Sequence, residues 1–369
     1  MSLVPNSNIS AFSSSNSSTS GTGSTGSGGN LGTVWITPLL GATLLTMCIL
    51  GMAGNIYTLG VMRSAVLRRS GSMYVFIINL AAADLLYLGT IPFVVCTYFV
   101  HDWFFGETGC RVLLSLDLLT MHASVFALVA MSLERYRAVA MPFHARRSAK
   151  DSARRHWLAA LGIWGAALIL TMPMMVMIRL REGRPGASGL VKRICFPTWT
   201  PEAFKAYLTV LFFTSMLVPG LIMVVLYIGL AQRYWTAQSN LASGGARSRV
   251  SIRISNSSTP SRRKRLKHKV VCMIFSIVVA YWVCFLPFWG WQMAKLFSPE
   301  SMRSLTPAAH TYVNFFVTCL TYGNSCVNPL LYTLLTRNYK DYLVQRSQTS
   351  ASSRIDLGSG SGVNAVQDL

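Results

Sequence analysis

Seven apolar stretches, at 34–62, 73–100, 112–132, 157–178, 206–232, 270–294 and 306–336, dominate this chain. Each reaches or exceeds the roughly 20 residues that a helix needs to cross about 30 Å of hydrocarbon. One such stretch alone could be the core helix of a water-soluble domain. Seven in series, separated by polar loops, remove that option. The expected fold is an all-α membrane protein, a seven-transmembrane helix bundle.

The chain's formal net charge of +21 raises the question of nucleic acid, but 52% of its residues are hydrophobic and only 12% charged. Long apolar segments do not belong to a nucleic-acid reader, so none is expected as a partner; lipid is. Of the 33 Lys and Arg residues, 24 fall on one side of the seven stretches and 9 on the other. The positive-inside bias then places the N-terminus outside and the C-terminus inside. Residues 1–33 carry no charge and are rich in Ser, Gly, Thr and Asn, so they read as a disordered extracellular tail without a core. Their N-x-S sequons, Asn8 and Asn16, suit glycosylation, and no secretory signal is visible before the first stretch. Residues 34–346 form the membrane domain, ending in RNYKDYLVQR (337–346), a short amphipathic helix for the cytoplasmic interface. Residues 347–369 read as a disordered cytoplasmic tail.

Six of the eight cysteines lie inside apolar stretches and read as small packing residues. The other two, Cys110 and Cys195, both fall on the outer side, where such a pair is expected to oxidise.

Two carboxylates interrupt the apolar stretches, with no Lys or Arg among them: Asp84 and Asp117. At 1.5 Å per residue Asp84 lies about 16 Å into its stretch, near the midplane, and Asp117 about 10 Å below Cys110. Each is either a hydrogen-bonded packing residue or the receiver of a cation from elsewhere. For Asp84 the polar neighbours to consider are Asn55, Ser124, Asn324, Ser325 and Asn328, whose oxygens suit sodium or a proton. Asp117, nearer the outside, suits a cation carried by a ligand. Arg135 follows on the same helix about 27 Å further down, at the inner face. Pro92, Pro173, Pro219, Pro287 and Pro329 are expected to kink their helices.

GN at 54–55, NLAAAD, Cys110, ERY (Glu134–Arg135–Tyr136), Trp164, Pro219 with Tyr227, CFLP with Pro287, and NSCVNPLLY ending at Tyr332 fall in order on the seven stretches. Together they resemble the rhodopsin-like G-protein-coupled receptors. GCRVLLSLDLLTMHAS, CFLPFWGWQ and CLTYGNSCVNPLLYTLLTRNY resemble most closely the urotensin-type branch, with somatostatin and opioid receptors as further relatives.

The resemblance implies a plasma-membrane receptor for a cyclic peptide hormone, coupled mainly to Gq-type G proteins and calcium release. A lysine in the peptide ring is the implied partner of Asp117, with Met121, Phe285, Phe288, Trp289, Gln292 and Tyr322 around it and Tyr322 able to bond the carboxylate. Glu134, Arg135, Tyr136, Tyr227, Pro287, Asn328, Pro329 and Tyr332 are the implied microswitches facing the G protein. No cofactor is required beyond an allosteric sodium ion at Asp84, and the serines after Arg346 suit arrestin. Phe285 stands where the family usually has tryptophan, and RLKHKVV offers no glutamate to Arg135.

An opsin needs a lysine in the seventh stretch, and 306–336 has none. A transporter needs a continuous polar path, and no HExxH, CxxC or GxSxG supports an enzyme. A monoamine or another basic peptide is the alternative ligand. KRICFPTW favours a peptide, since a monoamine has no acid for Lys192 and Arg193.

Overall fold

A computed structural model of the chain describes residues 29–62, 73–100, 102–140, 149–183, 193–244, 259–306 and 308–330. Asn8, Asn16, Lys192, Tyr332, the 337–346 helix and the tail lie outside these residues.

In chain order the elements are α1 (Gly29–Met62), α2 (Met73–Leu88), α3 (Ile91–Val100), α4 (Gly106–Ala140) and α5 (Ala149–Met177). A hairpin follows, β1 (Ile178–Glu182) with β2 (Arg193–Pro197). Then come α6 (Pro201–Phe212), a π-helical turn (Phe213–Leu217), α7 (Val218–Gly244), α8 (Thr259–Phe297) and α9 (Pro299–Arg303). The last described helix, α10, covers 308–330.

Among the described residues six segments are long and apolar enough to cross a membrane: Pro38–Met62, Tyr74–Thr97, Gly106–Arg137, Arg154–Met177, Pro201–Arg233 and Phe275–Phe297. With α10 they make the seven-helix bundle, and they are called spans one to seven below. Span three is the most enclosed of the six and span four the least. The main core joins Leu80, Leu118, Leu128, Met216, Tyr281 and Trp289. Outward, Ile49, Leu161, Ile169 and Val225 are more than two-thirds exposed, an apolar surface that only lipid satisfies.

The prolines act locally as their chemistry requires. Pro92 cannot donate to Leu88 O, and span two breaks between α2 and α3 at Gly89–Thr90; Cys48 Sγ approaches the freed carbonyl at 3.4 Å. Pro219 likewise cannot reach Ser215 O, and the turn before it widens to a π-helix. Tyr281 OH of span six donates to Ser215 O at 2.6 Å, with Met216 O at 2.9 Å. Gly54 lets span seven close on span one, because a Cβ there would lie 3.0 Å from Pro329 Cβ.

Candidate functional site

The break in span two turns Thr90 toward span three. Thr90, Phe93, Val94, Trp103 and Leu113 line a narrow cleft whose acidic wall is Asp117. Asp117 Oδ1 is buried and has no hydrogen-bond partner among the described residues. The hydroxyl of Thr90 lies 2.7 Å from Tyr87 O and 3.1 Å from Tyr322 OH, where either hydroxyl can donate, and it neighbours the Asp117 carboxylate. Tyr322 stacks on Tyr87 at 4.4 Å and is fully enclosed. So Tyr322 meets the cleft through Thr90. The cleft walls from span two and Trp103 were not legible in the sequence; the Pro92 kink was the available signal.

The other residues expected around Asp117 follow a helical stripe. Phe285, Phe288, Trp289 and Gln292 are all buried on α8, at the i, i+3, i+4, i+7 spacing of one face. Met121 joins the same core cluster from span three. None of these five lines the Asp117 cleft itself. Two of them keep unused polarity, since Trp289 Nε1 and Gln292 Oε1 are buried without a partner among the described residues. One turn beyond Gln292 the stripe ends in Lys295, which lies inside span six and is 8% exposed. The sequence boundary at 294 had left this lysine outside the membrane, so the expectation of no intramembrane lysine is corrected. His122, also fully buried in span three, is a further polar group that the sequence pattern does not single out; its Nδ1 lies 2.8 Å from Leu118 O and its Nε2 3.1 Å from Thr214 Oγ1.

The hairpin caps this end of the bundle. Cys110, at the start of span three, is disulfide-bonded to Cys195 on β2, with a Cα–Cα distance of 5.6 Å, as expected from their placement. Cys195 pairs with Leu180 across the antiparallel register. Two residues earlier, Arg193 binds Asp102 by its backbone N–H at 2.6 Å and its guanidinium at 2.9 Å. The Arg193 side chain, then its N–H, holds the Asp102 carboxyl below its ordinary value. Arg193 also lies over the Phe104 ring, 4.9 Å from its centre. Its charge is thus engaged within the fold, and it does not stand open to an acidic ligand as the sequence suggested.

Deeper in the bundle Asp84 is fully buried. Ser325 Oγ and Asn328 Nδ2 each donate to it at 2.8 Å, and Ser124 Oγ at 3.4 Å. Asn55 instead donates to Ser325 O at 3.1 Å, tying span one to span seven behind the carboxylate. Asn324 is buried nearby but makes no hydrogen bond to it.

At the far end of span three Glu134 Oε2 lies 3.4 Å from His156 Nε2 and its Oε1 lies 3.3 Å from Arg137 Nη1. Arg135 is half-buried. One turn before it, Ser132 Oγ and Tyr227 OH are 2.8 Å apart, joining spans three and five. Tyr136 packs against Gly229, where a Cβ would come within 3.1 Å of its ring, and under Arg233. Trp164 Nε1 donates to Asn79 Oδ1 at 2.9 Å, joining spans two and four. Pro287 lies within α8, half-buried.

Comparison with known proteins matches residues 54–332 to the 7 transmembrane receptor (rhodopsin family). The chain belongs to this family. It is a multi-pass membrane receptor, as this family is, and not an enzyme. The receptor is 44% identical over 343 residues to the urotensin-2 receptor of Bos taurus, covering 89% of this chain and 82% of the relative. It is 44% identical over 333 residues to the urotensin-2 receptor of Homo sapiens, covering 90% and 76%. Somatostatin receptor type 4 of Rattus norvegicus is 31% identical over 295 residues, covering 80% and 68%.

Proposed function

We propose that the receptor answers to a urotensin-like cyclic peptide hormone and that a lysine in the peptide ring meets Asp117. One observation carries this reading: the buried Asp117 Oδ1 has no partner among the described residues, in a tight crevice lined by Thr90, Phe93, Val94, Trp103 and Leu113. A buried carboxylate without a cation is costly, and a ligand ammonium there would form a desolvated, charge-assisted pair. The relatives named for urotensin-2 support the choice of peptide. The hairpin end faces outside and the Glu134–Arg135 end faces the cytoplasm, where Arg135, Tyr136 and Tyr227 serve a Gq-type protein and calcium release. Asp84, with Ser124, Ser325 and Asn328, fits sodium: their carboxylate, hydroxyl and amide oxygens are the hard ligands that such an ion takes. Bound there, sodium would supply a counter-charge to Asp84.

The test is calcium release in cells expressing the receptor, with urotensin-2 set against a panel of amines. Urotensin-2 is expected to act and the amines to fail; the reverse result ends the proposal. Asp117→Asn keeps size and hydrogen bonding but removes the charge. It should weaken the peptide by roughly 30-fold to several-thousand-fold, the range for losing one partner of a buried pair. A peptide whose ring lysine is made neutral should then lose little more on the variant. Two losses that simply add would mean that Asp117 and the lysine do not touch.

A further inference from the structure

A lysine at the end of a membrane span has an easy alternative to burial: its four-carbon stem lets the ammonium reach water. Lys295 does not take it. Two residues before the end of α8 it turns inward, 8% exposed, while Phe297, the last residue of the helix, is 52% exposed. Its position continues the buried stripe Phe285, Phe288, Trp289 and Gln292 by one turn toward the hairpin end, so it shares the face implied for the ligand.

The surroundings are polar and come from span seven. Asn314 Oδ1 accepts from Trp291 Nε1 at 2.6 Å and from Lys295 Nζ at 3.4 Å, the longer and weaker of the two. Trp291 also meets the His310 ring, 5.4 Å between centres, and Lys295 Nζ lies 5.9 Å from the Trp291 ring centre. His310, one turn before Asn314, holds Met302 O at 2.8 Å through Nε2, and its Nδ1 is buried without a partner among the described residues. The closing carbonyls of α8 favour a cation at that end, which helps to hold the ammonium inward. An ammonium carries three N–H donors as a compact charge, and a carboxylate oxygen is the acceptor that matches it best.

We infer that Lys295, with Asn314 and Trp291 behind it, is an anion subsite that takes a carboxylate of the same ligand whose cation meets Asp117. The inference rests on the peptide reading above and sharpens it. The ligand is recognised by an acid as well as a base, a demand that a simple amine cannot meet.

The experiment uses full-length receptor in membranes and urotensin-2 as the probe, with each of the peptide's carboxylates, the C-terminal one included, replaced in turn by a carboxamide. Binding is measured on wild type, Lys295→Gln and Lys295→Arg. One carboxamide is expected to lose about ten- to a hundredfold on wild type, the size of a hydrogen bond to a charged group. The same analogue should lose little on Lys295→Gln, while Lys295→Arg keeps most of the discrimination. Equal losses on wild type and Lys295→Gln for every analogue would overturn the subsite and leave the peptide reading standing. If urotensin-2 does not bind wild type, the peptide reading fails and takes the subsite with it. Should Lys295→Gln fail to reach the membrane, Lys295→Arg and the wild-type series decide: a wild type indifferent to every carboxamide has no anion subsite.

Discussion

Asp84 and Asp117 are the same side chain, each 11 residues past the first residue of its helix, yet their neighbours give them different work. Asp84 collects two hydroxyls and an amide from spans three and seven, so both of its oxygens are engaged inside the protein. Asp117 keeps one buried oxygen without a partner among the described residues and faces a cleft. A carboxylate held by side chains of different spans responds to their movement, so a cation bound there favours one arrangement of the helices. Replacing a large organic cation by sodium at fixed ionic strength is therefore expected to weaken agonist binding to the wild type. Asp84→Asn should respond far less, as read in equilibrium binding; identical responses would remove sodium from Asp84. Lys295 shows the opposite case, a charge that burial alone singles out.

At the scale of elements, local chemistry creates openings that other helices then use. Pro92 breaks span two and delivers Thr90 to the Asp117 cleft. Pro219 leaves Ser215 O without its i+4 helical donor, within the π-helical turn. Tyr281, fully buried on span six, supplies the missing donor to this turn. Tyr281→Phe keeps the ring and its packing on Phe285 but removes the donor to the buried Ser215 O, a loss of about 1–3 kcal/mol. The expected outcome is a lower midpoint for thermal inactivation in detergent, with a looser junction between spans five and six raising basal nucleotide exchange. A variant as stable as wild type would show that water or another donor satisfies the turn.

For the whole molecule, the proposed orientation rests on the sequence bias of charge, with 24 of 33 basic residues in or beside the first, third and fifth loops and the C-terminal tail, and 9 in the alternate loops. An epitope fused at the N-terminus should bind antibody on intact cells, and one at the C-terminus only after permeabilisation. The reverse pattern would invert every assignment of ligand and G-protein faces made above. Seven helices, their membrane setting and the Cys110–Cys195 bridge were readable from sequence, because run length, charge bias and compartment act on residue types without regard to their neighbours. The isolation of Asp84 and Asp117 was readable for the same reason: a carboxylate among apolar residues is visible in one dimension. Which groups surround each of them was not. Thr90 and Trp103 reached Asp117 only through a break in one helix and the loop after it, and Asp102 captured Arg193 from 91 residues away. Lys295 turned inward rather than toward water because of how its helix face is set against span seven. Those outcomes depend on the rotation and depth of packed helices, which no residue carries alone; only the tertiary structure decided them.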